Sequence, residues 1–182
     1  MTPMTGGCPF SVNENTMILS GNELMTLAAK AARGAGAPPQ QAAEFGRAAL
    51  CHMRAGRDTD QLLTALDALP AGVILDLPLR LTRILEGAQG TKAQGTLPLT
   101  GTPDLIHSYI DALPYAVATT ARGETIDITL SLDTPAPPIP PARITLPKPL
   151  ATRMSALAAQ LLVPDSAASR EGGAGAGLTD ND

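Results

Sequence analysis

Aromatic side chains are almost missing from this chain: two Phe, two Tyr and no Trp among 182 residues. Large rings normally fill the gaps between packed elements. Here Leu, Ala, Ile, Val and Met must do so, and such a core reaches native density only where backbones approach closely. Such a core needs close packing of small residues, and in the first two helices facing alanines and Gly46 permit a close approach. Apolar residues make up 44% and charged residues 16%, which favours a globular chain over a disordered one. The length suits a single domain able to bury a real core. The 17 Gly and 17 Pro cluster near the ends and in one internal linker.

Helix signals dominate the first half. Residues 1–18 have no hydrophobic period and read as a flexible arm. Ser20 followed by Glu23 forms a capping box, in which each side chain satisfies a backbone N–H at the helix start, and Leu19 and Leu24 stand at staple positions. Leu24, Leu27, Ala28 and Ala31 continue the stripe to Gly34 or Gly36. A second helix opens at Pro38-Pro39, with Ala42, Phe45, Gly46, Ala49, Leu50 and Met53 on one face. The short connection makes it an antiparallel neighbour of the first. Asp58 is the expected cap of a third helix, with Gln61 in the capping-box position, and Pro70 ends it. Val73–Leu75 fits either a short strand or the start of a helix that Asp76 would otherwise cap. AQGTKAQG, residues 88–95, reads as a mobile loop. Thr102 and Pro103 open a further helix carrying Leu105, Ile106, Tyr109, Ile110 and Leu113.

The second half turns to strands. TIDITLSL alternates Ile126, Ile128, Leu130 and Leu132 with polar residues, and YAVATT precedes it through a tight turn at Arg122-Gly123, which predicts a hairpin. DTPAPPIPPA is a semi-rigid proline linker. RITL returns as a third strand of the same sheet, and Leu150, Met154, Leu157, Ala158 and Leu161 form a closing helix. The expected architecture is α+β: a single domain over 19–163, with a helical part at 20–113, a small antiparallel sheet at 114–147, a closing helix at 150–163 and a Gly-rich acidic tail at 164–182.

Charge narrows the function. The formal net charge is −4 and the pI about 5.1, which disfavours nucleic acid as the main partner, since phosphate neutralisation needs a basic face. Cys8 and Cys51 are too few and too separate for a disulfide framework, so a reducing compartment is expected. No apolar run follows a basic N-terminal segment, and none approaches ~18 residues, so neither a leader nor a membrane span is expected. These features describe a soluble cytoplasmic protein.

Within this acidic chain, Asn22 to Arg57 is basic: Lys30, Arg33, Arg47, Arg54 and Arg57 stand against Glu23 and Glu44 alone. Such a patch suits an anionic metabolite, or an acidic segment of the chain itself. The ending GGAGAGLTDND supplies that segment, with Asp180 and Asp182 as carboxylates. Its glycines do not form a nucleotide cradle. Gly173 and Gly175 match the first pair of a dinucleotide fingerprint, but Leu178 holds the third place, and no Lys-Ser/Thr follows for a Walker-type loop. The tail carboxylates also offer hard oxygen ligands for a divalent metal. Cys51-His52 and His107-Ser108 are adjacent pairs on helices. Their side chains diverge by ~100°, so neither is a nucleophile–base pair by itself, and Cys51 reads as a small buried hydrophobe. A helix-turn-helix outline over the first hairpin is countered by the apolar second helix and the acidic pI.

GNELMTLAAKAARGAG, residues 21–36, and VPDSAASREGGAGAGLTDND, residues 163–182, resemble the two ends of an uncharacterised proteobacterial family of unknown function. The opening helix is similar to its N-E-L-x-x-L-x-x-K-A-A-R-G-A-G pattern, and the tail to its G-A-G-A-G-L-x-D-N-D ending. The resemblance supplies no activity. It implies a link between the tail and the first helix hairpin. The leading expectation is a non-enzymatic protein that binds a small metabolite or accompanies a metabolic enzyme, needs no cofactor or metal, and uses Lys30, Arg33, Arg47, Asp180 and Asp182. The alternatives are a metal-dependent hydrolase or lyase built on the tail carboxylates and a structural homodimer joined through the alanine-rich helices.

Overall fold

The computed structural model describes residues 15–161. These form an α+β fold of six helices and two small antiparallel sheets. In chain order the elements are β1 (Thr16–Ser20), α1 (Gly21–Gly34), α2 (Pro39–Arg54), α3 (Asp60–Asp67), α4 (Val73–Glu86), β2 (Lys92–Pro98), α5 (Pro103–Asp111), β3 (Tyr115–Arg122), β4 (Thr125–Pro135), β5 (Arg143–Pro147) and α6 (Lys148–Ala159). The 1–14 and 162–182 segments, and with them the tail, lie outside the described residues.

The helical layer is built on close approach. Helix α1 buries Leu24, Ala28, Ala31 and Ala32, and packs between α2 and α6. At Gly46 of α2, an added Cβ would lie 2.6 Å from the Met25 carbonyl oxygen of α1. At Gly34, the last residue of α1, it would lie 1.8 Å from the Leu157 carbonyl oxygen of α6. Both crossings require glycine, and they let alanine faces fill a core in which Phe45 is the largest fully buried side chain. The capping box at Ser20 is present: Ser20 Oγ accepts from the Glu23 amide at 3.2 Å, and Glu23 Oε2 accepts from the Ser20 amide at 2.7 Å.

Other helix starts depart from the sequence expectation. Asp58 Oδ1 accepts from the Asp60 amide at 3.0 Å, but Gln61 does not complete a box there. Its Oε1 reaches across to α5 and accepts from the amides of Asp104 at 2.9 Å and Leu105 at 3.3 Å. Thr102, the expected cap of α5, makes no side-chain cap bond, so Gln61 of α3 caps α5. Val73–Leu75 are helical. Helix α4 begins after Gly72, whose φ of +86° suits glycine, and runs through Pro78 with Asp76 in its first turn.

The hairpin of β3 and β4 forms as expected, turning at Gly123 with φ of +59°. The third strand of that sheet is β2, not the 143–147 segment. Lys92 to Pro98 pair with Ser131 to Thr125, giving the order β2-β4-β3. Residues 92–95, expected in a mobile loop, thus belong to a strand. The buried face of β2 presents Ala93, Gly95 and Leu97. At Gly95 an added Cβ would lie 2.5 Å from the Ile84 side chain of α4, which would have to shift. Strand β5 instead pairs with β1, in register from Thr16↔Pro147 to Ser20↔Arg143. The expected flexible arm therefore gives way to a strand at Thr16. The chain reaches β5 from β4 through residues 136–142, which pass beside α2, where Arg54 Nη1 donates to the Pro140 carbonyl at 2.5 Å.

Candidate functional site

One face of α2 carries Arg47, Leu50, Cys51 and Arg54, spaced i, i+3, i+4, i+7, and these line a cleft of about 420 Å³. The opposite wall is the start of α1, Ser20 to Asn22, with Met25 one turn on. The proline segment Ile139 to Ala142 closes one side, fixed by the Arg54–Pro140 bond. Among the described residues lining this cleft none is acidic. The Gly21 and Asn22 amides are the first of α1, so no carbonyl within the helix can accept from them. Arg47 and Arg54 thus share a cleft with the first residues of α1, a helix start that also carries the Glu23 carboxylate on the Ser20 amide.

Arg47 is the least committed of these cations. Its only ion pair among the described residues is with Glu44, at a loose 3.9 Å, and its side chain is 51% exposed. A pair this long and this solvated contributes little. Arg47 also lines a second, adjoining cleft of about 360 Å³, formed with Glu44, α4 and the end of α5. Cys51 is a free thiol and 7% exposed. Burial pushes its pKa up, and Asp111 adds to the rise, so it remains a neutral thiol in the cleft wall.

The candidate ligand residues separate. Arg47 lies in the two clefts. Lys30 lines a shallow groove along α1 with Glu23, Thr26 and Leu27. Arg33 is exposed in the last turn of α1 and lines neither cleft. Asp180 and Asp182 lie outside the described residues. Arg54, named in the sequence only as part of the basic run, joins Arg47 because residues seven apart share a helix face. The remaining cation of that run, Arg57, is turned elsewhere: Nη2 holds Asp111 Oδ2 at 2.6 Å and Nη1 donates to Ser108 Oγ at 2.9 Å.

That second contact belongs to a buried polar network. His52 and Ser108 are both 0% exposed, and His52 Nδ1 lies 2.9 Å from Ser108 Oγ. His52 Nε2 lies 2.8 Å from the Asp58 carbonyl oxygen, which can only accept, so Nε2 carries the hydrogen and Nδ1 is the acceptor. The Ser108 hydroxyl hydrogen is then shared between Nδ1 and the Asp104 carbonyl at 2.7 Å. Burial lowers the His52 pKa, with the nearby Arg57 charge acting in the same direction, against the opposing hydrogen bond to Asp58. A serine–histidine contact usually invites a nucleophile reading. Here neither atom is accessible, and the network joins the α2–α3 connection to α5.

Among the described residues no group of three or more His, Cys, Asp or Glu could hold a metal ion, and no helix is long and apolar enough to cross a membrane. No family model matches the chain, and no curated protein or solved structure matches it either.

Proposed function

We propose that this protein binds a small anionic molecule in the cleft between α1 and α2 and acts as a non-enzymatic binding or accessory protein. The observation that carries this reading is the pairing of Arg47 and Arg54 on one helix face, opposite the first residues of α1, with no carboxylate among the described lining residues. Arginine offers paired N–H donors matched to carboxylate or phosphate, and helix-terminal amides add donors of the same polarity. The volume of about 420 Å³ suits a small molecule and not a polymer. The chemistry of the wall favours binding over reaction: Cys51 is a neutral thiol, and His52 and Ser108 are buried where α2 meets α5. A free thiol in Cys51 fits a reducing cytoplasm.

Thermal melting of the full chain with inorganic phosphate or citrate tests the reading. A concentration-dependent rise in Tm is expected, lost in the Arg47→Ala/Arg54→Ala double variant and kept in Lys30→Ala/Arg33→Ala. Loss of about tenfold or more in affinity is the expected scale for removing charge-assisted bonds. Loss confined to the Lys30/Arg33 variant would place the site on the outer face of α1 and sink the reading.

A further inference from the structure

The cleft between α1 and α2 carries its two cations on a wall that is otherwise mostly apolar. Met25 of α1, Leu50 of α2 and Ile139 with Pro140 and Pro141 line it beside Arg47 and Arg54. Ile139 is 47% exposed and takes no part in the hydrophobic core. A single exposed isoleucine is ordinary on a protein surface. This one shares a cleft with Met25 and Leu50, and its backbone is constrained. It stands in the run Pro137-Pro138-Ile139-Pro140-Pro141. Proline fixes its own φ and holds the residue before it extended. The run is tied to α2 by the Arg54 bond to the Pro140 carbonyl. Ile139 is therefore presented at the cleft with little backbone freedom left to lose on binding.

The charged part of the lining is small. Arg54 already donates to Pro140, whereas the one ion pair of Arg47 among the described residues is the loose 3.9 Å contact with Glu44. Arg47 is thus the cation with a paired set of donors to offer, and one carboxylate matches it. A bare inorganic anion uses this end alone and leaves the apolar wall wet. An aliphatic chain attached to the carboxylate covers that wall and gains its transfer free energy. We propose that the α1–α2 cleft takes small aliphatic monocarboxylates, with the carboxylate on Arg47 and the chain against Met25, Leu50 and Ile139. This proposal rests on the anion reading of the same cleft and adds the chemistry of the uncharged part of the ligand.

Straight-chain acids of increasing length test it. Acetate, butyrate and hexanoate are titrated into the full chain, and affinities are read from NMR shifts at Gly21, Asn22 and the Leu50 and Ile139 methyls. A methylene fully removed from water gains about fourfold in affinity, and one covered on one side about twofold. Hexanoate should therefore bind about tenfold or more tighter than acetate, with butyrate between them. Ile139→Ser, a change at an exposed position, should weaken hexanoate about threefold and leave acetate unaltered. Arg47→Ala should weaken both acids, and hexanol, the same chain without the charge, should bind about tenfold more weakly than hexanoate. Equal affinity for acetate and hexanoate overturns the proposal, as does hexanol binding as tightly as hexanoate or an Ile139→Ser variant with the parent's chain-length dependence. If phosphate shifts Gly21 and Asn22 but the acids do not, the proposal fails and the anion reading stands. If neither phosphate nor any acid shifts them, both fail.

Discussion

Nδ1 of His52 lies 2.9 Å from Oγ of Ser108, although the two residues are 56 apart in sequence. One belongs to the Cys51-His52 pair and the other to His107-Ser108. Each pair is unproductive on its own helix. The fold joins one member of each, and it does so in the interior, where the contact fixes α2 against α5.

Acid should therefore weaken the fold through His52. Its native pKa is lowered from 6.5 by burial and by Arg57, while the unfolded chain keeps the ordinary value. Below pH 6.5 the unfolded state takes up a proton that the native state refuses. The stabilisation from keeping His52 neutral is complete above that pH and is lost as pH falls toward the native value, at up to ~1.4 kcal/mol per pH unit. Urea unfolding between pH 7 and 5 should show this slope in the parent chain and a smaller one in His52→Gln.

Ser108→Ala should cost about 1–3 kcal/mol, because it strands His52 Nδ1 and removes one acceptor from Arg57. Denaturant unfolding measures the loss. Asp111→Asn should cost less, since that carboxylate is 50% exposed and its pair with Arg57 is screened.

The glycine crossings should tolerate nothing larger. Gly34→Ala drives a methyl into the Leu157 carbonyl and should cost about 3 kcal/mol or more, and Gly46→Ala, against the Met25 carbonyl, about 1–3 kcal/mol. Gly56 has a φ of +64° but open space around its Cβ position, so Gly56→Ala should lose only about 1 kcal/mol through backbone strain. Equal losses at all three positions would contradict close helix approach as the way this aromatic-poor core is filled.

Gln61→Leu should loosen α5 and leave α3 largely intact. Removing the carbonyl that accepts from Asp104 and Leu105 should cost about 1 kcal/mol, the usual scale for a lost cap. Hydrogen exchange should rise at the first turn of α5.

These details mark how far local signals reach. The Ser20–Glu23 box, the Gly46 crossing and the β3–β4 hairpin were legible because each rests on residues close in sequence or on a strict period. Strand β2 was not, since its buried face is Ala93, Gly95 and Leu97, and small residues carry almost no alternation signal. Gly95 reads as a loop residue until Ile84 is seen lying over it. The β1–β5 pairing joins residues more than 120 apart, and nothing local announces it. Gln61 stood in a correct local pattern and served a different helix. At the site, Arg47 was legible as a basic residue on the second helix, and its partnership with Arg54 followed from helical spacing.

The proposed anion site is the space between α1 and α2, bounded by Arg47 and Arg54. The most direct measurement is an amide NMR titration of the full ¹⁵N-labelled chain with inorganic phosphate. Saturable shifts concentrated at Gly21, Asn22, Leu50 and Arg54 are expected. Shifts confined to the turn around Lys30 and Arg33, or only a diffuse salt response over the whole surface, would contradict it.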